Sequence, residues 1–272
     1  MARVLGMMSL FALSLVANFH LASAADSTLV SIQTPRGVKQ AFILIKPAKP
    51  VAAVILFAGG RGALGLRSAS TMRWGAMNFL VRTRDVFATH DLMVAVVDAP
   101  SDRQEGMNAV FRMGSAHAGD ITAVAAYLKK QADIPVWLIG TSSGTFSAAA
   151  GAIAAKGIDG LVLTSTITRS KRGDKIAQSH RDGVASMALQ RVSVPALVVF
   201  HRKDGCVSSP AADAPKLTKR LIKAAKVDLV LVDGGDPPQS DPCQARSPHG
   251  FLGIESEVVG KIAEFVKGNS SK

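Results

Sequence analysis

The sequence has 272 residues, of which 32 are lysine or arginine and 20 are aspartate or glutamate, giving a formal net charge of +12. Aromatic residues make up 5% of the chain and tyrosine occurs once, so the basic residues lack the interleaved aromatic side chains on which nucleic acids stack. This composition argues against a nucleic-acid partner, and we interpret the basic residues as solvated surface positions.

The first 24 residues predict a secretory signal peptide. Arg3 precedes an apolar run, and Ala22-Ser23-Ala24 supplies a cleavage site with small outer residues. The run is too short for a membrane span, and no later stretch approaches about 18 uninterrupted apolar residues. We therefore expect a periplasmic or secreted mature chain, residues 25–272, without an integral membrane segment. An uncleaved N-terminal anchor is the alternative.

From residue 29 to the end, strand-like and helix-like segments alternate. Residues 29–34 and 40–47 indicate an opening antiparallel pair, with Gly37 at the turn. The other predicted strands are 51–58, 92–100, 135–140, 160–166, 195–201 and 226–235. The predicted helices are 77–90, 118–130, 143–156, 214–225 and 254–268. This alternation predicts a single α/β domain, with a mostly parallel sheet covered by helices on both faces.

Two segments complete the outline of the chain. Residues 167–194 are long for a plain connection, and we expect a short excursion over the carboxyl edge of the sheet, where such sheets bind ligands. Cys206 and Cys243 are the only cysteines. An oxidising compartment favours a disulfide between them, with two free buried thiols as the alternative.

Residues 60–65, Gly-Arg-Gly-Ala-Leu-Gly, match the G-x-G-x-x-G pattern of a dinucleotide-binding turn after a predicted strand. The context contradicts that interpretation, because no convincing helix begins at Gly62 and Asp85 lies inside a predicted helix instead of ending a second strand. An exported protein also rarely meets soluble dinucleotide. We therefore predict no cofactor and assign this loop another role.

Residues 140–144, Gly-Thr-Ser-Ser-Gly, match G-x-S-x-G between a predicted strand and a predicted helix. In that context the motif forms a tight, strained turn that exposes the hydroxyl of its central serine. Ser142 is therefore the candidate nucleophile. A serine hydroxyl needs a base to remove its proton and a carboxylate to orient that base.

Asp204 and His249 follow Ser142 in the order that this kind of site requires. Asp204 comes just after a predicted strand, and His249 lies in the loop between the last predicted strand and the last predicted helix. We predict Asp204 as the orienting acid and His249 as the base. Asp182 is a second candidate acid, whereas Asp241 is interpreted as a turn residue and His201 as a packed residue. The other mature-chain histidines, at 90, 117 and 180, are assigned surface or core roles.

A negatively charged tetrahedral oxygen would need two backbone N–H donors. One is predicted to come from Ser143, the residue after the nucleophile, and the other from Gly60 or Arg61 in the glycine-rich loop. A bridge between Cys206 and Cys243 would join the loop of Asp204 to the loop of His249. We hypothesise that it fixes the distance between acid and base.

These motifs together resemble the α/β-hydrolase superfamily over essentially the whole mature chain. The resemblance rests on Phe-Ala-Gly-Gly-Arg-Gly at 57–62, Gly-Thr-Ser-Ser-Gly at 140–144, His-Arg-Lys-Asp-Gly-Cys at 201–206 and Pro-His-Gly-Phe at 248–251. It is closest in kind to small, nearly lidless bacterial esterase-like members, in which cysteines at such positions can form a bridge. The loop has Ala58-Gly59 where the common pattern has His-Gly, which leaves open the N–H that serves as donor.

The resemblance implies an α/β-hydrolase fold and a serine hydrolase, carboxylesterase-like, that cleaves an ester-type acyl bond of a small molecule through an acyl-enzyme. It implies no metal and no cofactor. Two other functions are compatible with the sequence: an acyltransferase that uses the same three residues, and a non-catalytic binding protein on the same scaffold. Cleavage of amides is a variant of the enzymatic function.

Overall fold

The structure is a computed structural model that describes residues 26–270, so the predicted signal peptide lies outside the described residues. The strands are β1 (Asp26–Gln33), β2 (Lys39–Lys46), β3 (Ala52–Phe57), β4 (Leu92–Val97), β5 (Val136–Thr141), β6 (Gly160–Thr164), β7 (Ala196–His201) and β8 (Val227–Val232). The helices are α1 (Phe79–Arg82), α2 (Arg84–Thr89), α3 (Ala109–Met113), α4 (Ser115–Gln131), α5 (Gly144–Ala154), α6 (Ala214–Thr218) and α7 (Glu255–Gly268). Within residues 26–270, no helix has both the length and the apolar character needed to cross a bilayer.

The eight strands form one sheet in the order β1-β2-β4-β3-β5-β6-β7-β8. Strand β2 runs antiparallel to both β1 and β4, and every other neighbouring pair is parallel. All residues of β3 to β7 are buried, as expected for parallel strands covered on both faces. The predicted α/β fold class, its mostly parallel sheet and the opening antiparallel pair are confirmed.

The core consists of two layers, one on each face of the sheet. Alternate side chains of β3 belong to one layer or the other, because successive residues of a strand point to opposite faces of the sheet. Ala53, Ile55 and Phe57 pack with residues of α4 and α5, whereas Val54 and Leu56 pack with residues of α1, α2 and α7. The strand ends that carry the candidate site residues are therefore held between two buried apolar layers.

Two predicted helices are shorter than expected. Segment 77–90 divides into α1 and α2 at Thr83, whose hydroxyl donates to the carbonyl oxygen of Phe79 at 2.7 Å. Such back-bonding to the preceding turn bends helices. Segment 214–225 is helical only as α6, after which Arg220 and Leu221 bond to carbonyls three residues earlier, the tighter pattern of a closing turn.

Helix α4 begins at Ser115, which places Asp120 in its second turn. The buried carboxylate of Asp120 lies 2.8 Å from the guanidinium of Arg36, in the turn between β1 and β2. This ion pair joins the hairpin of β1 and β2 to helix α4. Helix α3, which precedes α4, was not predicted from the sequence.

The segment 167–194 contains two single 3-10 turns, Gly183–Ser186 and Leu189–Arg191. It lies between β6 and β7, and it is tied down by backbone hydrogen bonds from Val184 to Ile167 and from Thr168 to Ser208. Its first residues border the cleft described below. This compact course agrees with a short excursion at the carboxyl edge of the sheet.

His117 is buried in α4 and neither of its ring nitrogens has a hydrogen-bond partner among the described residues. Burial, with the positive charges of Arg112 and Arg36, lowers the pKa of His117 to about 3. The unfolded chain takes up this proton below about pH 6.5 and the folded protein does not. His117 therefore does not lower the free energy of unfolding above about pH 6.5. As the pH falls from there towards 3, protonation of the unfolded chain lowers that free energy progressively.

We expect His117→Phe to remove this acid sensitivity while keeping the ring contacts with Phe57 and Phe111. Between pH 6 and pH 4 the unfolding free energy of the parent should fall more steeply than that of the variant, by up to about 1.4 kcal/mol per pH unit. Urea unfolding at several pH values measures both slopes. Parallel slopes would contradict the burial of a neutral histidine.

Candidate active site

Ser142 occupies a left-handed turn between β5 and α5, with φ of 52°. The two motif glycines make this turn possible, because neighbouring backbone lies too close to their Cα atoms to leave room for a Cβ. A Cβ on Gly140 would lie 2.5 Å from the carbonyl oxygen of Gly144, and one on Gly144 would lie 2.1 Å from that of Phe57. Larger residues at either position would force the turn apart, so the local sequence dictates the strained conformation that was expected for Ser142.

Asp204 and His249 come together at the same edge of the sheet, each beyond a strand end. His249 Nδ1 lies 2.8 Å from Asp204 Oδ2, and both side chains are buried. The other carboxylate oxygen, Oδ1, accepts the N–H of Cys206 at 2.9 Å. His249 Nε2 is buried and has no partner among the described residues. This pairing leaves Nε2 as the ring atom available for proton transfer.

The histidine loop is also held by two serines that the sequence analysis missed. Ser165 Oγ donates to the carbonyl oxygen of His249 at 2.8 Å, and Ser209 Oγ lies 3.1 Å from His249 Nδ1. Ser165 directly follows β6, so its place at the carboxyl edge of the sheet was a usable signal. Ser209 lies in an irregular segment, and no sequence pattern marked it.

Ser142 and His249 line one open cleft of about 890 Å³, which adjoins a second hollow of about 600 Å³. We call these the serine hollow and the side hollow; Gly60, Arg61 and Ser143 line both. No hydrogen bond joins Ser142 Oγ to His249 Nε2. Such bonds are often long in enzymes without substrate and shorten when it binds.

The glycine-rich loop after β3 packs directly against the candidate nucleophile. A Cβ on Gly59 would lie 2.9 Å from Ser142 Cβ, and Gly60 has a positive φ of 60°. The backbone N–H groups of Gly60, Arg61 and Ser143 donate to no other described residue. All three predicted donors are thus unengaged among the described residues, and their residues line the same hollow as Ser142.

Asp98, another residue the sequence analysis missed, holds the far end of this loop. Its buried carboxylate accepts the N–H groups of Leu64 at 2.6 Å, Leu66 at 2.9 Å and Ala99 at 2.7 Å. Asp98 directly follows β4, so an acidic residue at a strand end was the available signal. Its oxygens satisfy backbone donors and face the loop, which gives it a supporting role.

The alternative residues lie away from this arrangement. Asp182 is half exposed and pairs with Lys216 at 3.0 Å. Asp241 is exposed, and its carbonyl accepts the N–H of Gln244 in a turn. His201 is buried and its Nε2 lies 3.0 Å from the carbonyl oxygen of Gly234, as a packed residue would.

Cys206 and Cys243 form a disulfide, with their Cα atoms 4.5 Å apart. Both cysteines line the serine hollow. The bridge therefore ties the segment after Asp204 to the segment before His249. Among residues 26–270, no group of three or more histidine, cysteine, aspartate or glutamate side chains is placed to hold a metal ion.

No protein-family model and no curated protein matches the sequence. Solved structures do match over most of the chain. An esterase from Pyrococcus furiosus has a TM-score of 0.65 and 16% identity, covering 94% of this chain and 96% of its own. Dienelactone hydrolase from Anabaena variabilis has a TM-score of 0.60 and 15% identity, covering 91% of this chain and 100% of its own.

A third similar structure is an α/β hydrolase from a Penicillium species, with a TM-score of 0.64 and 12% identity over 90% of this chain and 99% of its own. At these identities the likeness concerns the backbone, and function has to be argued from the site itself. The strand order, the left-handed serine turn between β5 and α5, and these neighbours agree with one another. The chain has the α/β-hydrolase fold.

Proposed function

We propose that this protein is a serine hydrolase that cleaves an ester-type acyl bond through a covalent acyl-enzyme, with Ser142 as nucleophile, His249 as base and Asp204 as orienting acid. The observation that carries the proposal is the buried contact of 2.8 Å between His249 Nδ1 and Asp204 Oδ2. It leaves Nε2 without a hydrogen-bond partner among the described residues, and His249 lines the same hollow as Ser142. The similar structures described as esterases and a dienelactone hydrolase support the same class of reaction.

In the first half-reaction, Ser142 Oγ attacks the carbonyl carbon of the ester while its proton passes to His249 Nε2. The imidazolium that forms is stabilised by the carboxylate of Asp204. The carbonyl oxygen becomes an oxyanion and accepts the N–H groups of Ser143 and of Gly60 or Arg61. His249 then gives its proton to the departing alkoxide, and the acyl group remains on Ser142.

In the second half-reaction, water takes the place of the alcohol. His249 removes a proton from the water, whose oxygen attacks the acyl carbon, and the same donors hold the new oxyanion. Collapse of this intermediate releases the carboxylic acid and returns the proton to Ser142 Oγ. Two adjoining hollows meet at Ser143, so there is room for substituents on both sides of the scissile bond.

We also propose that the protein works outside the cytoplasm, after removal of residues 1–24. The disulfide between Cys206 and Cys243 supports this location, because such bonds persist in oxidising compartments. The signal peptide itself remains a prediction from sequence.

Labelling with a fluorophosphonate tests the nucleophile. We expect Ser142 Oγ to displace fluoride from phosphorus, giving an adduct that peptide mass spectrometry places on Ser142. Ser142→Ala should abolish the adduct and the hydrolysis of p-nitrophenyl esters, and His249→Ala should strongly reduce both. Ser143→Ala is the matched control, since the donor attributed to Ser143 is its backbone N–H, which alanine retains.

An adduct that survives Ser142→Ala would refute the assignment. No adduct on folded protein, while a known serine hydrolase is labelled in parallel, would favour the binding-protein function. Product analysis in the presence of an added alcohol separates the remaining alternative, because an acyltransferase forms the new ester in preference to the acid.

A further inference from the structure

Arg112, in α3, is one of the largest fully buried side chains, with 1% of its surface exposed. Burial lowers its pKa to about 10, so the guanidinium stays charged at neutral pH. Its hydrogen bonds go to neutral oxygens, and no carboxylate of residues 26–270 forms an ion pair with it. Burying a charge without a countercharge is costly, so a residue of this kind calls for a reason.

The contacts of Arg112 connect the glycine-rich loop to the helix that follows Ser142. Nη2 lies 3.4 Å from the carbonyl oxygen of Ala58 and 3.3 Å from that of Gly60, which bracket Gly59. Nη1 donates to Ser147 Oγ in α5 at 2.9 Å. One charged group therefore holds both structural elements that carry the proposed oxyanion donors.

Gly62 explains how the guanidinium reaches this position. A Cβ on Gly62 would lie 2.1 Å from Arg112 Nη2, and Gly62 has a positive φ of 67°. Its lack of a side chain thus leaves the space that the guanidinium fills. Two glycines of this loop have a physical role without any dinucleotide: Gly59, just before the G-x-G-x-x-G pattern, approaches Ser142, and Gly62, within the pattern, leaves room for Arg112.

The directions of the loop N–H groups follow from the bonded carbonyls. Peptide bonds within residues 26–270 are trans, so each N–H points away from the carbonyl of its own peptide unit. The guanidinium of Arg112 donates to the carbonyl oxygens of Ala58 and Gly60. The N–H of Gly62 donates to the carbonyl oxygen of Gly59 at 3.2 Å. Three successive peptide planes are fixed in this way, and the N–H groups of Gly60 and Arg61 remain unengaged.

We infer that Arg112 is a positioning residue for the oxyanion hole, which it preorganises by holding the loop carbonyls from inside the protein. Its buried positive charge also favours the negative oxygen of the tetrahedral intermediate. This inference rests on the proposed serine hydrolase function. Fixed dipoles and charges of this kind act mainly on the transition state, so the effect falls on kcat.

The test compares Arg112→Met and Arg112→Lys with the parent protein in two measurements. The first is hydrolysis of a neutral p-nitrophenyl ester. The second is inhibition by an alkyl boronic acid: Ser142 Oγ adds to boron and passes its proton to His249, which gives a negatively charged tetrahedral adduct that mimics the intermediate. We expect Arg112→Met to lower kcat by about 10² with KM changed less than about twofold, and to weaken the boronate by a similar factor.

Arg112→Lys keeps the charge but cannot reach all of these oxygens at once, so its losses should be smaller, about tenfold. Should Arg112→Met be recovered unfolded, Arg112→Lys carries the same comparison. Val259→Ala, in the core layer on the other face of the sheet, is the control. It should lower the melting temperature while leaving boronate affinity and kcat unchanged in the folded protein.

A purely structural role for Arg112 predicts that the variants lose melting temperature but bind the boronate as the parent does, and that result would overturn the inference. So would an unchanged kcat in both variants. If the parent neither hydrolyses esters nor binds the boronate, the proposed function fails and this inference fails with it. Activity in the parent with unaffected Arg112 variants leaves the proposed function standing alone.

Discussion

Replacing Asp204 by asparagine is expected to lower kcat for ester hydrolysis by about 10⁴-fold in a protein that still folds. The reason lies in the two oxygens of the carboxylate. Oδ1 accepts the N–H of Cys206, and Oδ2 accepts from His249 Nδ1. The asparagine oxygen stays with Cys206, so the NH₂ group faces Nδ1. The imidazole then carries its proton on Nε2, where it cannot act as a base towards Ser142.

The matched control is Asp182→Asn, which removes the same charge from the other candidate acid. Asp182 pairs with Lys216 on the surface, and exposed ion pairs contribute little to folding stability. We therefore expect the replacement of Asp182 to leave kcat within about twofold of the parent value. Steady-state kinetics on the two variants, with circular dichroism to verify folding, decides between the acids. A large loss in Asp182→Asn with normal activity in Asp204→Asn would reverse the assignment.

The parts of the candidate site that the sequence predicts are those that follow directly from strand ends. Ser142, Asp204 and His249 come immediately after buried strands or in the loop before the last helix, and parallel strands bring their carboxyl ends to one edge. The motif glycines add a local signal, since a turn this tight excludes side chains at Gly140 and Gly144. Chain order and backbone sterics are therefore enough to predict where these residues lie.

Arg112 was not predictable by the same reasoning. In sequence it is a basic residue on a short segment, of the kind that is exposed in most proteins. Its burial depends on a space left by Gly62, fifty positions earlier, and on Ser147 in another helix. The division of 77–90 at Thr83 likewise depends on a side-chain bond that competes with helical geometry, which apolar periodicity does not register.

Removing the disulfide, by Cys206→Ala with Cys243→Ala, is expected to lower the unfolding free energy by about 4 kcal/mol, because the bridge closes a loop of 37 residues in the unfolded chain. For a protein of this size such a loss lowers the melting temperature by about 8 to 16 °C. Thermal unfolding followed by circular dichroism measures the change. Val207→Ala is the control, since Val207 lies between the two site segments but is largely exposed.

The same double variant separates a structural staple from a support of the site. The N–H of Cys206 orients the Asp204 carboxylate, and the bridge joins that residue to the segment leading to His249. Without the bridge, acid and base are held by less rigid loops, and kcat should fall about tenfold at temperatures where the protein is still fully folded, since small displacements of catalytic groups reduce rates strongly. Activity and circular dichroism measured on one temperature series test this. If activity stays at the parent level until the protein unfolds, the bridge stabilises the fold alone, and the geometry of the Asp204–His249 pair is maintained by the buried serines around it.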